Sequence, residues 1–101
     1  MAIKSLYGRI AKDIWQSGEA KKLPKEFWKR SRLLMEIMNA SSKLENLKIQ
    51  GSPPDIRLHK LSGDRKGQWS VTINKVSGWR IVFYFEHGEF INVEIVDYHG
   101  G

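Results

Sequence analysis

The chain has 101 residues, no cysteine, and 17 Lys/Arg against 11 Asp/Glu, for a formal net charge of +6. These figures exclude a disulfide framework, a thiolate metal site and a thiol nucleophile, and they predict a single domain over residues 1–101 with a modest core. No apolar run reaches the length of a membrane span and no signal-peptide pattern follows the first residue, so the expectation is a soluble cytoplasmic protein with no membrane partner.

The charge is uneven along the chain. Residues 1–50 carry 11 Lys/Arg against 5 Asp/Glu, and residues 51–101 carry 6 of each. An excess confined to one half suggests a polyanionic partner, weighed against a merely solvated basic surface.

Ile3 to Leu6 reads as an edge strand or as the entry to a first helix. Ile10, Ile14 and Trp15 then recur at near-helical spacing, and Ser17-Gly18 supplies the stop, with Gly beyond the C-terminus. Glu19 to Leu23 is a polar linker. Pro24 suits the first turn of a second helix, in which Phe27, Leu34, Ile37 and Met38 form a stripe widened by Trp28 and Met35. Lys25, Lys29, Arg30 and Arg32 remain for its outer and flanking faces. Asn39 to Ser42 ends this helix, and Leu44, Leu47 and Ile49 suggest one more helical turn or a tucked loop.

Gly51-Ser52-Pro53-Pro54 is a break within the domain. Ile56 to Leu61 alternates apolar and polar as a half-buried strand does, and Trp69, Val71 and Ile73 alternate in another. Between them Ser62 to Gly67 is turn chemistry with a charged tip. Trp79–Phe85 and Glu89–Ile95 flank a Gly-containing turn and read as a β-hairpin. Placing Ile81, Phe83, Phe85, Ile91, Val93 and Ile95 on one face requires an odd loop. The expectation is therefore Glu86-His87-Gly88, with Gly88 left-handed, Phe85 paired with Glu89 and Arg80 across from Glu94. The whole is an α+β fold, two N-terminal helices packed on a mainly antiparallel, curled sheet of four or five strands.

The histidines are scattered, and neither a metal-ligand pattern nor a phosphate-cradling glycine loop is present. His87 falls at a hairpin tip and His59 reads as a half-buried structural residue. His99 stands apart: it follows Asp97 and Tyr98 where the last strand leaves the open end of the hairpin, near Arg80. An imidazole moves protons near neutral pH, a guanidinium grips a phosphate, and a phenol face stacks on a base. Together they suit attack of a ribose 2′-hydroxyl on the adjoining phosphate, a reaction that calls on no bound cofactor; the plainer reading is a polar C-terminus.

At these residues the chain resembles toxins of the RelE/ParE superfamily, specifically the HigB branch. The resemblance rests on Arg57-Leu58-His59-Lys60-Leu61, on Gly63-Asp64-Arg65-Lys66-Gly67-Gln68-Trp69-Ser70-Val71, on Trp79-Arg80-Ile81 with Phe83 and Phe85, and on Val96-Asp97-Tyr98-His99. Ile3-Lys4-Ser5 and the two-helix order agree with it. It implies the small microbial-ribonuclease-like fold and the toxin of a type II toxin–antitoxin pair, an mRNA interferase that cuts translated message in the ribosomal A site. It also implies a HigA-type helix-turn-helix antitoxin, through which alone operator DNA would be reached. By position Arg80 would hold the scissile phosphate, His99 would transfer protons with Asp97 tuning it, and Tyr98 would stack on or position the nucleotide. Lys60, Arg65, Lys66 and Lys75 would contact message or ribosomal RNA. The chain departs from the pattern at Ser62 and Thr72, where relatives commonly carry basic residues, and in a longer loop between Asn74 and Trp79 that brings in Lys75. The alternative on the same scaffold is a non-enzymatic inhibitor of DNA gyrase, as in the ParE branch, or of the ribosome.

Overall fold

The computed structural model describes residues 2–44, 58–74 and 77–97. Helix α1 spans Arg9–Ser17, a 3-10 turn covers Lys25–Phe27, and α2 spans Trp28–Asn39. Four strands follow: β1 (His59–Lys60), β2 (Trp69–Thr72), β3 (Trp79–Glu86) and β4 (Glu89–Asp97), with a 3-10 turn at Gly63–Arg65 between β1 and β2. All neighbouring pairs are antiparallel, and the sheet order is β1-β2-β3-β4. The expected α+β arrangement is present, with both helices against one face of the sheet.

Each helix buries the stripe its sequence carries. Ala11 and Ile14 of α1 are buried, and Gly18 closes the helix at φ 79°, its N–H donating to the Ile14 carbonyl at 2.9 Å. On α2 the buried positions are Ser31, Leu34, Met35 and Met38, an i, i+3, i+4, i+7 set. Met35 therefore sits in the middle of the stripe and Ile37 at its margin. Pro24 precedes the 3-10 turn rather than opening α2. Against these helices lie Val71, Ile73, Ile81, Phe83, Phe90 and Val93, all fully buried. Burying each such side chain contributes about 1.5–3 kcal/mol.

Two aromatic anchors fix the helical layer. The Trp28 indole N–H lies 3.0 Å from the Ala20 carbonyl and 2.8 Å from that of Leu23, which ties the linker to α2. Arg32 holds α1: its guanidinium lies 4.9 Å from the Trp15 ring centre and 3.3 Å from the Ile14 carbonyl. One of the expected surface cations is thus a tether between helices.

The hairpin differs from the expectation in an instructive way. Its turn has two residues, His87 (φ 52°) and Gly88 (φ 79°), and the register pairs Glu86 with Glu89 and Phe85 with Phe90. Positive φ at both positions is the type I′ geometry whose twist matches the strands. An even turn puts Phe90, not Ile91, on the core face. The phase is then restored by a bulge, because Tyr84 pairs with Ile91 while Val82 pairs with Glu94. One extra residue on β4 absorbs the mismatch at Asn92, which has φ 52°. The bulge is plugged by Ser5, whose hydroxyl accepts from the Asn92 N–H at 2.8 Å and donates to its Oδ1 at 3.1 Å.

Ser5 can do so because the N-terminal segment runs parallel beside β4, bridging at Ile3–Phe90 and Leu6–Val93. It thus covers one edge of the sheet, the first of the two readings open for Ile3 to Leu6. Ile56 and the residues of 45–57 expected to continue the first strand or form a further turn lie outside the described residues, as does Lys75.

Candidate functional site

The pleat sorts the sheet residues into two faces. Val71, Ile73, Ile81 and Phe83 meet the helices, so Ser70, Thr72, Arg80, Val82 and Tyr84 point the other way. Register then builds lateral rows on this outer face. One row is Thr72–Arg80–Val96, and the next is His59–Ser70–Val82–Glu94.

Arg80 is therefore opposite Val96 and not, as the odd-loop reading required, opposite Glu94. The two-residue turn and the bulge together produce this shift. Its chemical consequence is direct. Among the described residues no carboxylate pairs with Arg80, and its Nη1 donates to the Thr72 hydroxyl at 2.9 Å. Thr72, read in the sequence as the loss of a cation, is the residue that orients one. Arg80 Nε and, in the neighbouring row, the Ser70 hydroxyl are buried without a hydrogen-bond partner. A guanidinium without a carboxylate partner among the described residues suits an oxyanion.

Glu94 pairs with Arg65 instead, Nη1 to Oε1 at 3.5 Å, and the same nitrogen donates to Gln68 Oε1 at 3.1 Å. Arg65 precedes β2 and Glu94 belongs to β4, so the arginine side chain spans β3 to reach it. The charged turn thereby folds over the outer face, with Lys66 exposed beside it.

The remaining sequence candidates are distributed as follows. Lys60 pairs with Trp69 and is exposed, its ammonium 5.7 Å from the Trp69 ring centre; its row is that of Phe83, not Arg80. His59 takes the outer-face position and is exposed rather than half-buried. The half-buried reading of His59 is thus corrected, because the phase of β1 depends on how the 61–68 turn closes. Asp97 ends β4 exposed, opposite Trp79, in the row next to Arg80 and on the Trp79 face. Tyr98, His99 and Lys75 lie outside the described residues. His87 is exposed at the hairpin tip, as expected. Among the described residues no group of three His, Asp or Glu side chains is placed to hold a metal ion, and no helix is long and apolar enough to cross a membrane.

The fold is thus a small α+β domain whose sheet, on the side away from the helices, carries Arg80, with no carboxylate partner among the described residues, His59 and the bridging basic turn. The comparison with family models agrees: residues 5–99 match the RelE-like toxin of type II toxin–antitoxin system HigB. The chain belongs to this HigB-like toxin family. It is also 29% identical over 97 residues to a Proteus vulgaris protein named endoribonuclease HigB, covering 96% of this chain and 99% of that one.

Proposed function

We propose that the protein is an endoribonuclease, the toxin of a type II toxin–antitoxin pair, and that it cuts message in the ribosomal A site. The observation that carries this reading is Arg80, held by Thr72 and free of any described carboxylate, on the sheet face that also carries Ser70 and, two strands away, His59. The name of the Proteus relative supports it. So does the charge on the helical side: residues 2–44 carry 10 Lys/Arg against 4 Asp/Glu, which favours approach to a polyanion as large as the ribosome.

The chemistry follows from these groups. A base removes the ribose 2′-proton, O2′ attacks phosphorus, and the P–O5′ bond breaks as an acid protonates the departing 5′-oxygen. The products are a 2′,3′-cyclic phosphate and a 5′-hydroxyl. Arg80 stabilises the charge that gathers on the non-bridging oxygens. His99 supplies one imidazole, with Asp97 and Tyr98 beside it in sequence, as the family resemblance implies. His59, on β1, supplies a second imidazole on the Arg80 face. Arg65, Lys66, Lys60 and Lys75 serve as RNA or ribosome contacts. A HigA-type antitoxin is the neutralising partner.

The test is cleavage of a message on programmed ribosomes, with the cut nucleotide carrying either a 2′-hydroxyl or a 2′-hydrogen. Cleavage of the first and not the second is expected, with a cyclic phosphate on the upstream fragment. Equal survival of both messages, with inhibition of DNA gyrase or of ribosomes instead, would overturn the proposal in favour of a non-enzymatic inhibitor.

A further inference from the structure

Three large apolar side chains among the described residues are exposed: Tyr7, Leu33 and Tyr84. Tyr84 alone shares the outer face with Arg80. It lies four residues along β3, which at the rise of a strand is about 13 Å away, a span that roughly one or two unstacked nucleotides cover. Tyr84 is 38% exposed, and its ring edge rests against Gly67, where a Cβ would stand 3.6 Å from Cε1. Gly67 has φ 96°, so that backbone conformation disfavours any larger residue, and the ring edge is met by bare backbone. Between Tyr84 and Arg80 the Arg65 side chain crosses β3 to Glu94. The Tyr84 hydroxyl has no hydrogen-bond partner among the described residues.

From this arrangement we infer that Tyr84 is the floor of a base-binding subsite, on which one unstacked base of the substrate RNA lies one or two nucleotides from the cleaved bond. The inference rests on the ribonuclease reading and adds to it a contact remote from the reacting atoms. A tyrosine face accepts any base by stacking, and the adjoining Arg65 guanidinium offers the neighbouring phosphate a charge-assisted donor. Glu94, whose strand partner Val82 is two residues from Tyr84, holds Arg65 on this same face. Tyr84 is the one large apolar side chain of this face that is exposed among the described residues, and this arrangement gives it a use. It adds binding without altering the chemistry at Arg80.

The experiment is a cycle between protein and message on programmed ribosomes. Native protein, Tyr84→Phe and Tyr84→Ala are each assayed on messages in which single nucleotides around the cut are replaced by abasic ribose. Tyr84→Ala is expected to lower kcat/KM about 10- to 100-fold, mainly through KM, while Tyr84→Phe stays near native. One abasic position should cost the native protein a similar factor and cost Tyr84→Ala nothing further. If every abasic message loses equally with native and Tyr84→Ala protein, the subsite is refuted while the ribonuclease reading stands. If native protein cuts no message, the failure lies with that reading. Circular dichroism and thermal unfolding of Tyr84→Ala exclude a folding defect as the source of the loss.

Discussion

Replacing Thr72 by valine isolates the contact on which the proposed phosphate site depends. Thr72 is 2% exposed, and its hydroxyl accepts from Arg80 Nη1 at 2.9 Å. Valine is close in shape and lacks only the acceptor. A hydrogen bond to a charged group is worth about 1.5–3 kcal/mol. Arg80 is only partly buried, so water replaces some of the loss, and the low end, about 1.5 kcal/mol, is expected. For a chain of this size that is a fall in Tm of roughly 6–12 °C. Function should suffer more. With Nε already lacking an acceptor, the guanidinium would lose its described hydrogen bond, and a misplacement of about 1 Å costs on the order of 100-fold in rate. Message cleavage at saturating protein should therefore drop about 10- to 100-fold, and Thr72→Ser should restore both stability and rate. A double-mutant cycle gives the decisive comparison. In an Arg80→Ala background, Thr72→Val should cost little. If Thr72→Val costs the same with and without Arg80, or leaves cleavage unchanged, the orienting role assigned to Thr72 is wrong.

The fold makes further demands that can be measured. Gly88 sits at φ 79°, and a Cβ there would come within 3.4 Å of the Ser42 carbonyl, so Gly88→Ala should destabilise by about 1–2 kcal/mol in chemical denaturation; unchanged stability would refute the type I′ turn. Phe83 is fully buried and stacks edge-on with Phe90 at 5.1 Å, while Phe90 stacks likewise with Phe85 at 4.9 Å. Phe83→Ala should cost about 3–5 kcal/mol, against a native stability of roughly 5–15 kcal/mol, and appear as a large drop in the urea midpoint.

Much of this architecture is readable in the sequence because hydrophobic period and punctuation agree. Gly18 stops α1, the stripe on α2 is buried, and the strands fall where apolar and polar residues alternate. What escaped was parity. The chain can meet its burial pattern either with an odd loop or with an even loop plus one bulged residue, and periodicity alone does not separate the two. His87-Gly88 was the hint for a two-residue turn, and Asn92, a residue type that tolerates positive φ, was the hint for the bulge. Parity decides chemistry here. It moves Glu94 away from Arg80 and gives it to Arg65, leaving Arg80 to Thr72. The same ambiguity across the 61–68 turn hid His59, which the register carries onto the outer face while Lys60 takes the Trp69 side. Arg80 stands out in the sequence because a lone arginine in an apolar strand needs a reason to be there.

Cleavage on programmed ribosomes by native protein, Arg80→Ala and His99→Ala tests the central claim most directly. The account predicts cutting by the native protein and losses of about 100-fold or more for Arg80→Ala, with His99→Ala also strongly impaired. A message left intact by native protein, or cut at the native rate after Arg80→Ala, would contradict it.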